Sequence, residues 1–372
     1  MKLKTLLLGS AASLMAVTGA QAADAVVEDE AVEYVRVCET FGTGYFFIPG
    51  TETCLRFNGD IRVQYVINDE DGPVASDALD TVHQWRYRAR LGVSSATESD
   101  LGTITTFTRF EAGASNFQVD DDTGVRIAGL SITDPIRVPV RVDQAIIGIG
   151  GLSVGFGDNY WSRNIGFGLV GAAVDGLYGY GQELYVEYTY EVAGFAVTAG
   201  VAQFEPDDAQ NGGPGTGIYA ENPNLYAGVN YGASFGSIGA TVYYTNESGF
   251  AGADNGFDFA LGAQFRPLEG LNVEAFVLGG DGAYTRNAGG AGADYAYGIG
   301  AGYTFGDVTP YVLYTATDGA NDDYISVGAY WQPSGTGLTF LAEASFETDD
   351  GDADSVLDGE DNTYTFRLVK SF

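Results

Sequence analysis

Three arginines stand at alternate positions within one short segment of the sequence. Arg86, Arg88 and Arg90 are each two residues apart, so a β-strand would place their guanidinium groups on one face and Trp85 and Leu91 on the other. A row of guanidinium groups binds anions and orients polar solutes. On a surface facing lipid, each arginine would cost about 2–4 kcal/mol at mid-depth. We therefore predict that the row faces water.

Other charged residues in neighbouring segments are predicted to join this row. They are the basic residues Arg56, Arg62 and Arg109 and the acidic residues Asp60 and Glu111. Two roles are open for these charges: they can line a water-filled space and act on solutes, or they can pair with one another and stabilise a wall. The two roles are compatible.

One long connection differs from the others in its charge. The segment Asn159–Gln182 is rich in glycine and aromatic residues, and it carries only Arg163 and Asp175 inside it, with Asp158 and Glu183 at its ends. Other long connections carry runs of aspartate suited to water. We predict that this segment folds inward and narrows a lumen, with an ordinary external loop as the alternative. A basic row opposite an acidic loop would create a transverse field that orients polar solutes.

The elements that must position these residues are predicted to be β-strands, because apolar and polar side chains alternate along them. In Leu55–Tyr65 the odd positions are mostly apolar and the even positions are polar. The same alternation marks Gln84–Val93, Leu184–Tyr190, Phe257–Arg266 and Leu338–Glu347. Glycine (54 residues), tyrosine (24) and phenylalanine (22) are abundant, and this composition favours an all-β chain.

The connections between strands come in two lengths that alternate along the chain. The short turns are Glu98–Leu101, Gly150–Gly151, Ala193–Gly194, Ala233–Gly236, Pro267–Gly270, Gly306–Asp307 and Pro333–Gly337. The longer loops are Asn68–Thr81, Gly113–Arg141, Asn159–Gln182, Pro206–Pro223, Asn246–Gly256, Asp281–Ala293, Asp318–Asp322 and Thr348–Asn362. Seven turns and eight loops connect sixteen strands. This pattern predicts a 16-stranded antiparallel transmembrane β-barrel with short periplasmic turns, long extracellular loops and an inward-folded third loop.

A closed barrel also satisfies the constraint that lipid imposes on the backbone. Lipid offers no water to unpaired N–H and C=O groups, so only helices and closed barrels can span it. Beyond the N-terminal segment, the longest uncharged stretches, 222–246 and 324–342, are interrupted by turn residues and predict hairpins. Sixteen strands would enclose a water-filled lumen rather than a packed core.

The N-terminal part carries two further signals. Residues 1–22 contain two lysines, a short apolar stretch and the sequence Ala20-Gln21-Ala22, which predict a secretory signal peptide; an N-terminal anchor helix is the alternative. Cys38 and Cys54 are the only cysteines and are predicted to form a disulfide in an exported protein, with a redox-active pair as the alternative. The predicted organisation is a signal peptide (1–22), an N-terminal periplasmic segment (23–54) and a barrel (55–372).

Several other functions are disfavoured by composition and motifs. The net charge of −33 makes nucleic acid a poor partner. The single histidine, His83, stands near no Gly-x-Ser-x-Gly motif, so we predict neither an enzyme nor a cofactor. The segment Gly166–Gly171 matches a dinucleotide-binding motif by spacing alone, without its βαβ context. Asp350, Asp352 and Asp354 resemble part of a calcium loop and predict at most loose binding of a divalent cation; a solvated acidic loop is the alternative.

Two regions of the sequence carry a resemblance to a known family. Val35–Cys38 and Gly44–Arg56, followed directly by the first strand, resemble the start of alphaproteobacterial general porins of the rhizobial type. The last strand alternates through Tyr364 and Phe366 to the terminal Phe372, which resembles the assembly signal of bacterial outer-membrane proteins. The predicted strand number agrees with this family along the mature chain.

The resemblance implies an outer-membrane homotrimer for passive diffusion of ions and small hydrophilic solutes, in contact with lipid and lipopolysaccharide. It also implies a constriction by the third loop and a basic cluster opposite that loop, which we transfer only to Arg86, Arg88 and Arg90. Asp175 is the one acid inside the loop, so the loop is poorer in carboxylates than the family pattern.

A substrate-specific channel, for example for sugars, is the alternative function. Such a channel would show lumen aromatics for sugar stacking, for which Tyr185, Tyr226 and Tyr311 are candidates. A plugged receptor would need a large additional domain, whereas only the segment 23–54 precedes the barrel. The acidic loops predict a weak preference for cations, which arginines in the narrow part would oppose, since a Debye length of about 8 Å screens more distant charges.

Overall fold

The computed structural model describes most of the chain after the N-terminal segment. The described ranges are 36–70, 81–120, 124–127, 140–165, 170–173, 180–204, 223–246, 255–282, 284–285, 293–319, 323–349 and 361–372. The predicted signal peptide, Asp175 and the aspartates Asp350, Asp352 and Asp354 lie outside these ranges. The predictions made on them therefore stay predictions.

Sixteen long strands form the wall of the molecule, and the bounds of each are as follows. They are β1 (Cys54–Glu70), β2 (Thr81–Thr97), β3 (Ile104–Asp120), β4 (Val140–Ile149), β5 (Leu152–Asp158), β6 (Gln182–Val192), β7 (Phe195–Phe204), β8 (Asn224–Ala233), β9 (Gly236–Thr245), β10 (Gly256–Leu268), β11 (Leu271–Gly280), β12 (Tyr295–Tyr303), β13 (Val308–Thr317), β14 (Asp323–Trp331), β15 (Leu338–Asp349) and β16 (Asp361–Ser371).

The wall closes on itself. Every long strand pairs antiparallel with its neighbours in sequence, and β16 pairs with β1 along the register from Asp361↔Glu70 to Ser371↔Asp60. The terminal residue completes this seam, because Phe372 and Gly59 exchange two backbone hydrogen bonds of 3.0 Å. A Cβ at Gly59 would lie 2.7 Å from the Phe372 ring, so the seam requires glycine there. The predicted 16-stranded antiparallel barrel is confirmed.

All seven predicted turns join consecutive strands at one end of the barrel, which we call the turn end; the opposite end is the loop end. In the tightest of them, Ala193 and Gly194 have φ angles of 50° and 84°, as a type I′ hairpin requires. One boundary differs: β3 continues past Gly113 to Asp120, where the sequence predicted a loop. Gly113 does not break the strand. A Cβ at this position would lie only 2.6 Å from the Tyr87 carbonyl oxygen, so glycine allows the backbones of β2 and β3 to approach closely.

The two faces of the wall differ in polarity. Large apolar side chains are exposed on the outer face around the whole barrel; examples are Ile61, Leu91, Val197, Leu261, Ile299, Val327 and Leu368. Polar side chains are buried on the inner face; examples are Gln64, Gln144, Thr198, Thr241, Ser326 and Thr365. An apolar outside and a polar inside are typical of a barrel surrounded by lipid. Among the described residues, no helix combines the length and the hydropathy needed to cross a membrane.

The disulfide between Cys38 and Cys54 is present, so this prediction is confirmed. Both cysteines are buried, and the bond fixes residues 38–54 at the turn end of β1. Phe46 and Phe47 form a short antiparallel strand with Leu55 and Cys54. The periplasmic location of this segment stays a prediction.

Replacing both cysteines with serine is expected to destabilise the barrel by about 3 kcal/mol, because the bond closes a loop of sixteen residues in the unfolded chain. The measurement is the temperature at which the folded barrel converts to the slower-migrating unfolded form on a semi-native gel. Wild-type protein treated with reductant should shift in the same way. Equal midpoints for the oxidised wild type and the double variant would contradict the expectation.

Candidate pore lining and constriction

The third loop begins with a short helix that lies inside the barrel. Helix α1 (Tyr160–Ile165) follows β5, and its Trp161 is fully buried. The Trp161 ring lies 6.0 Å from the ring of Tyr243, on the inner face of β9, and 5.5 Å from that of Tyr284. Asn164 donates from Nδ2 to the Ala240 carbonyl oxygen at 2.9 Å. These contacts fix the start of the loop against the inner wall, and the predicted inward fold is confirmed.

Glu183 is the centre of this anchorage. Its carboxylate is fully buried and accepts three hydrogen bonds: from the backbone N–H of Tyr160 (3.0 Å), the hydroxyl of Tyr243 (2.9 Å) and the hydroxyl of Tyr284 (2.7 Å). The first two donors belong to the third loop and to β9. The Glu183 carboxylate therefore joins the loop to the wall and does not line an open channel.

A second loop also enters the barrel, and sequence reasoning missed it. Tyr284 belongs to the loop between β11 and β12, which the sequence placed among the external loops, yet Tyr284 and Thr285 are both fully buried. The buried carboxylate of Asp258 accepts the backbone N–H groups of Gly282, Tyr284 and Thr285 at 3.2–3.3 Å. An aromatic residue within a glycine-rich loop was the available signal in the sequence.

Two other charged residues at the predicted constriction are also bound to the wall. Arg163 makes a two-pronged ion pair with Glu187, at 3.0 and 2.9 Å, and its guanidinium lies over the Tyr185 ring at 4.7 Å. Asp158 accepts hydrogen bonds from Arg109 (3.3 Å) and from the Tyr180 hydroxyl (3.0 Å). The charges of Arg163 and Asp158 therefore hold the two ends of the third loop against the wall.

The distal arm of the loop, which we define as residues 170–173, lies on the other side of the barrel. The backbone N–H of Val170 donates to Glu274 of β11 at 2.8 Å, and that of Ala173 donates to Glu343 of β15 at 2.7 Å. The Ala173 carbonyl oxygen accepts from Arg367 of β16 at 3.4 Å. Because the same loop starts at β5, it crosses the lumen.

The inner face of β1–β4 carries the predicted arginines together with acids that pair with many of them. Arg90 and Arg141 both bind Glu111, at 2.5 and 2.8 Å, while Arg109 binds Asp143. Further pairs are Arg141–Asp143 (3.2 Å), Arg109–Asp158 (3.3 Å) and Arg90–Asp143 (3.9 Å). We call these three arginines and three acids the ion-paired cluster. The sequence analysis missed Arg141 and Asp143; Arg141 was assigned to the second loop, Gly113–Arg141, as its last residue.

A second group of arginines lies beside the ion-paired cluster. This four-arginine patch consists of Arg62 on β1, Arg86 and Arg88 on β2, and Arg367 on β16. Arg88 pairs with Asp60 at 3.3 Å. Arg367 was not predicted, although it alternates with the apolar residues of the last strand.

Arg56 lies apart from both groups. It is near the turn end, with its guanidinium 4.9 Å from the centre of the Tyr45 ring in the disulfide segment. The structure therefore brings together most of the charges predicted for the basic wall, and it separates Arg56 from them.

The three aromatic candidates do not form an open ligand site in the described part of the chain. Tyr185, Tyr226 and Tyr311 are 4%, 4% and 5% exposed, so their rings offer no open face for a sugar. His83 lies 2.7 Å from the Tyr65 hydroxyl through Nδ1. In the described part of the chain, no three His, Cys, Asp or Glu side chains gather where a metal ion could bind.

A closed barrel with an apolar outer face, a polar inner face and a loop across its lumen defines a transmembrane channel protein of the outer-membrane type. A family profile described as "Porin subfamily" matches residues 24–355. The chain belongs to this porin family, and it is a protein of the bacterial outer membrane.

Individual relatives agree with this assignment. Porin Omp2b of Brucella canis is 37% identical over 257 residues, and that of Brucella suis biovar 1 is 38% identical over 259 residues. Each alignment covers 66% of this chain and 66% of the relative, so slightly less than two thirds of those proteins is matched.

Solved structures share the fold at low sequence identity. The outer membrane channel DcaP of Acinetobacter baumannii aligns with a TM-score of 0.62 and 15% identity over 88% of this chain and 99% of that chain. A variant of the Rhodopseudomonas blastica porin aligns with a TM-score of 0.51 and 14% identity over 86% of this chain and 100% of that chain. At such identity the likeness concerns the fold alone.

Proposed function

We propose that this protein is a water-filled channel for passive diffusion of ions and small hydrophilic solutes across the outer membrane. The observation that carries the proposal is the path of the third loop. It is anchored near Glu183 and again at Glu274 and Glu343, while the arginines of β1–β4 lie on the inner wall beside it. This arrangement supports a narrowed lumen lined by charge, which would admit polar solutes and reject apolar ones. We expect no enzymatic activity and no cofactor.

The burial of the three tyrosine candidates does not favour a sugar-specific channel, so general diffusion is preferred. The Tyr226 hydroxyl donates to Glu187 at 2.7 Å and the Tyr311 hydroxyl donates to Glu343 at 2.5 Å. Both hydroxyl groups thus bind glutamates that in turn hold the third loop, through Arg163 and Ala173.

We expect the purified protein to give nanosiemens-scale current steps in planar bilayers in symmetric salt. The steps should come in groups of three if the protein is a homotrimer, as its family membership suggests. A folded, heat-modifiable barrel that gives no steps would contradict the diffusion channel and favour a gated or plugged one.

An apolar groove on the outer face supports contact between copies of this chain. Small side chains, Ala329 and Ala342, lie between the aromatic rings of Trp331, Phe340 and Trp85 in this groove. The rest of the outer face would contact lipid and, at the loop end, lipopolysaccharide. Chemical cross-linking of the unheated protein tests the trimer, and a monomer as the largest product would contradict it.

A further inference from the structure

One sector of the lumen wall departs from the polar inner face of the barrel. Leu278 of β11 and Leu313 of β13 face inward and are fully buried. Both belong to a buried apolar cluster that also contains Trp161 of α1 and Tyr284 of the loop between β11 and β12. Contact between apolar side chains and water is unfavourable, so this sector of the wall requires a cover of loop residues.

The loop between β11 and β12 supplies part of this cover. We call it the second inward loop; its described residues are 281, 282, 284, 285, 293 and 294. Its start is held by the buried Asp258 of β10, whose carboxylate accepts three backbone N–H groups of the loop. A Cβ at Gly282 would lie 2.0 Å from Oδ2 of Asp258, so the loop approaches the wall as closely as glycine allows. The position of the loop is therefore tied to one carboxylate of the wall.

The return end of the second inward loop is also fixed. Asp318, in the loop between β13 and β14, accepts the backbone N–H groups of Asp294 and Tyr295, both at 2.9 Å. The Asp294 carbonyl oxygen accepts the backbone N–H of Gly280 at 3.0 Å. Because both ends are bound by neighbouring elements, the described residues of the loop have a defined position relative to β10 and β12.

Tyr284 links the second inward loop to the third loop. Its ring centre lies 4.0 Å from that of Tyr243 on β9 and 5.5 Å from that of Trp161 on α1. Its hydroxyl donates to the Glu183 carboxylate, which also accepts the backbone N–H of Tyr160, the first residue of α1. The Tyr284 side chain therefore fills space beside α1 and holds it through Glu183, although Tyr284 belongs to a different loop.

We infer that the second inward loop is a second element of the constriction and that Asp258 and Tyr284 are positioning residues that, with the third loop, set the largest solute the channel admits; this inference rests on the proposed diffusion channel. Asp258 orders the start of the loop, the ordered loop places the ring and hydroxyl of Tyr284, and Tyr284 fixes α1. The third loop crosses the lumen from α1, so its path depends on each of these contacts. Since pore width decides which solutes pass, loosening any one of the contacts should admit larger solutes.

Swelling of liposomes that contain the protein measures this size limit with uncharged sugars of increasing size: glucose, sucrose and raffinose. In Tyr284→Ala the rate for raffinose relative to glucose should rise by about twofold or more, because the ring no longer supports α1. Tyr284→Phe keeps the ring and loses only the hydrogen bond to Glu183, so its rise should be smaller. Tyr295→Ala is the matched control: this exposed tyrosine starts β12 directly after the loop and lies on the outer face, so the ratio should not change.

Asp258→Ala tests the same chain of contacts one step away from α1. The variant should raise the raffinose ratio to the same extent as Tyr284→Ala, although the hydrogen bonds of Asp258 go to the second inward loop. Contacts that act through one element are not additive, so the double variant should show no further rise. Asp100→Ala, which replaces an exposed aspartate in the turn between β2 and β3, is the control and should behave like the wild type. Two effects that multiply in the double variant would contradict a shared path.

Acrylamide quenching of Trp161 fluorescence tests the positioning without requiring permeation. The chain has three tryptophans, so Trp85→Phe/Trp331→Phe leaves Trp161 as the only one. Trp161 is fully buried and should be protected from the quencher in this background. Adding Tyr284→Ala or Asp258→Ala should remove the protection, because α1 loses its support from the second inward loop.

A third variant reaches the same loop without changing either positioning residue. The methyl group of Gly282→Ala would meet the Asp258 carboxylate and displace the loop, so this variant should give both effects and decides the question if the other two do not fold. An unchanged raffinose ratio, or a Trp161 that stays protected in the folded variants, would overturn the inference. Absence of glucose uptake through the folded wild type would instead contradict the diffusion channel, and quenching would still decide whether Tyr284 positions α1.

Discussion

Replacing Glu183 with alanine is expected to release the start of the third loop and to destabilise the barrel by about 3–9 kcal/mol. The change removes the acceptor of three hydrogen bonds and leaves the hydroxyls of Tyr243 and Tyr284, both fully buried, without it. Each buried donor that loses its partner costs about 1–3 kcal/mol. Because Tyr284 comes from another loop, both loops should loosen together.

Two measurements report whether the third loop is released in Glu183→Ala. The midpoint of heat conversion on a semi-native gel should fall, and trypsin should cleave the folded protein after Arg163. That arginine is the only basic residue in Asn159–Gln182, and in the wild type it is held by Glu187. Glu191→Ala, an exposed glutamate on the same strand, should change neither readout. An unchanged midpoint with an uncleaved Arg163 in Glu183→Ala would show that Glu183 is not the anchor.

The strands and turns were predictable because they depend on local chemistry. Period-2 alternation sets which side chain faces lipid, and turn residues such as Ala193–Gly194 stop the strand where the backbone must reverse. The one clear boundary error, at Gly113, arises because glycine has two uses in a strand. It can end pairing, or it can allow a close backbone approach, and only the neighbouring strand decides between them.

The candidate site was predictable only in part. Arg86, Arg88 and Arg90 were placed on the inner face by their spacing alone, and the low charge of Asn159–Gln182 predicted its inward fold. The residues that bind this loop could not be found in the same way. They belong to strands or to another loop far away in sequence, and the path of a loop across a lumen leaves no periodic pattern. These missed residues are Glu274, Tyr284, Glu343 and Arg367. Asp258, which binds the loop between β11 and β12, was missed for the same reason.

The net charge of the chain and the charge of its narrow part determine different properties of the protein. The value of −33 describes the whole chain, and it bears on solubility and on partners such as nucleic acid. Inside the barrel, arginines outnumber carboxylates on the described wall of β16 and β1–β4. Buried acids elsewhere in the lumen hold the loop. A composition argument can therefore exclude a class of partner, but it does not determine which charges line the narrow part.

The distal arm of the third loop is expected to be released when Glu274 and Glu343 are both replaced with alanine. Each carboxylate accepts one backbone N–H of the arm, at 2.8 and 2.7 Å, and a hydrogen bond to a charged group contributes about 1.5–3 kcal/mol. Losing both should raise the population of the released arm by about a hundredfold or more. The mean single-channel conductance and the open-channel noise should both rise, because the arm no longer fixes the narrowest section.

The double variant separates the role of this arm from that of the helical anchor. The contacts of Glu183 lie at the other end of the loop, so trypsin should still leave Arg163 intact in Glu274→Ala/Glu343→Ala. Glu269→Ala, which removes an exposed carboxylate from the turn before β11, is the matched control and should conduct like the wild type. Wild-type conductance and noise in the double variant would mean that residues 170–173 do not set the width of the channel. A rise in both, with Arg163 protected, would assign the width to the arm and the fixed position of the loop to Glu183.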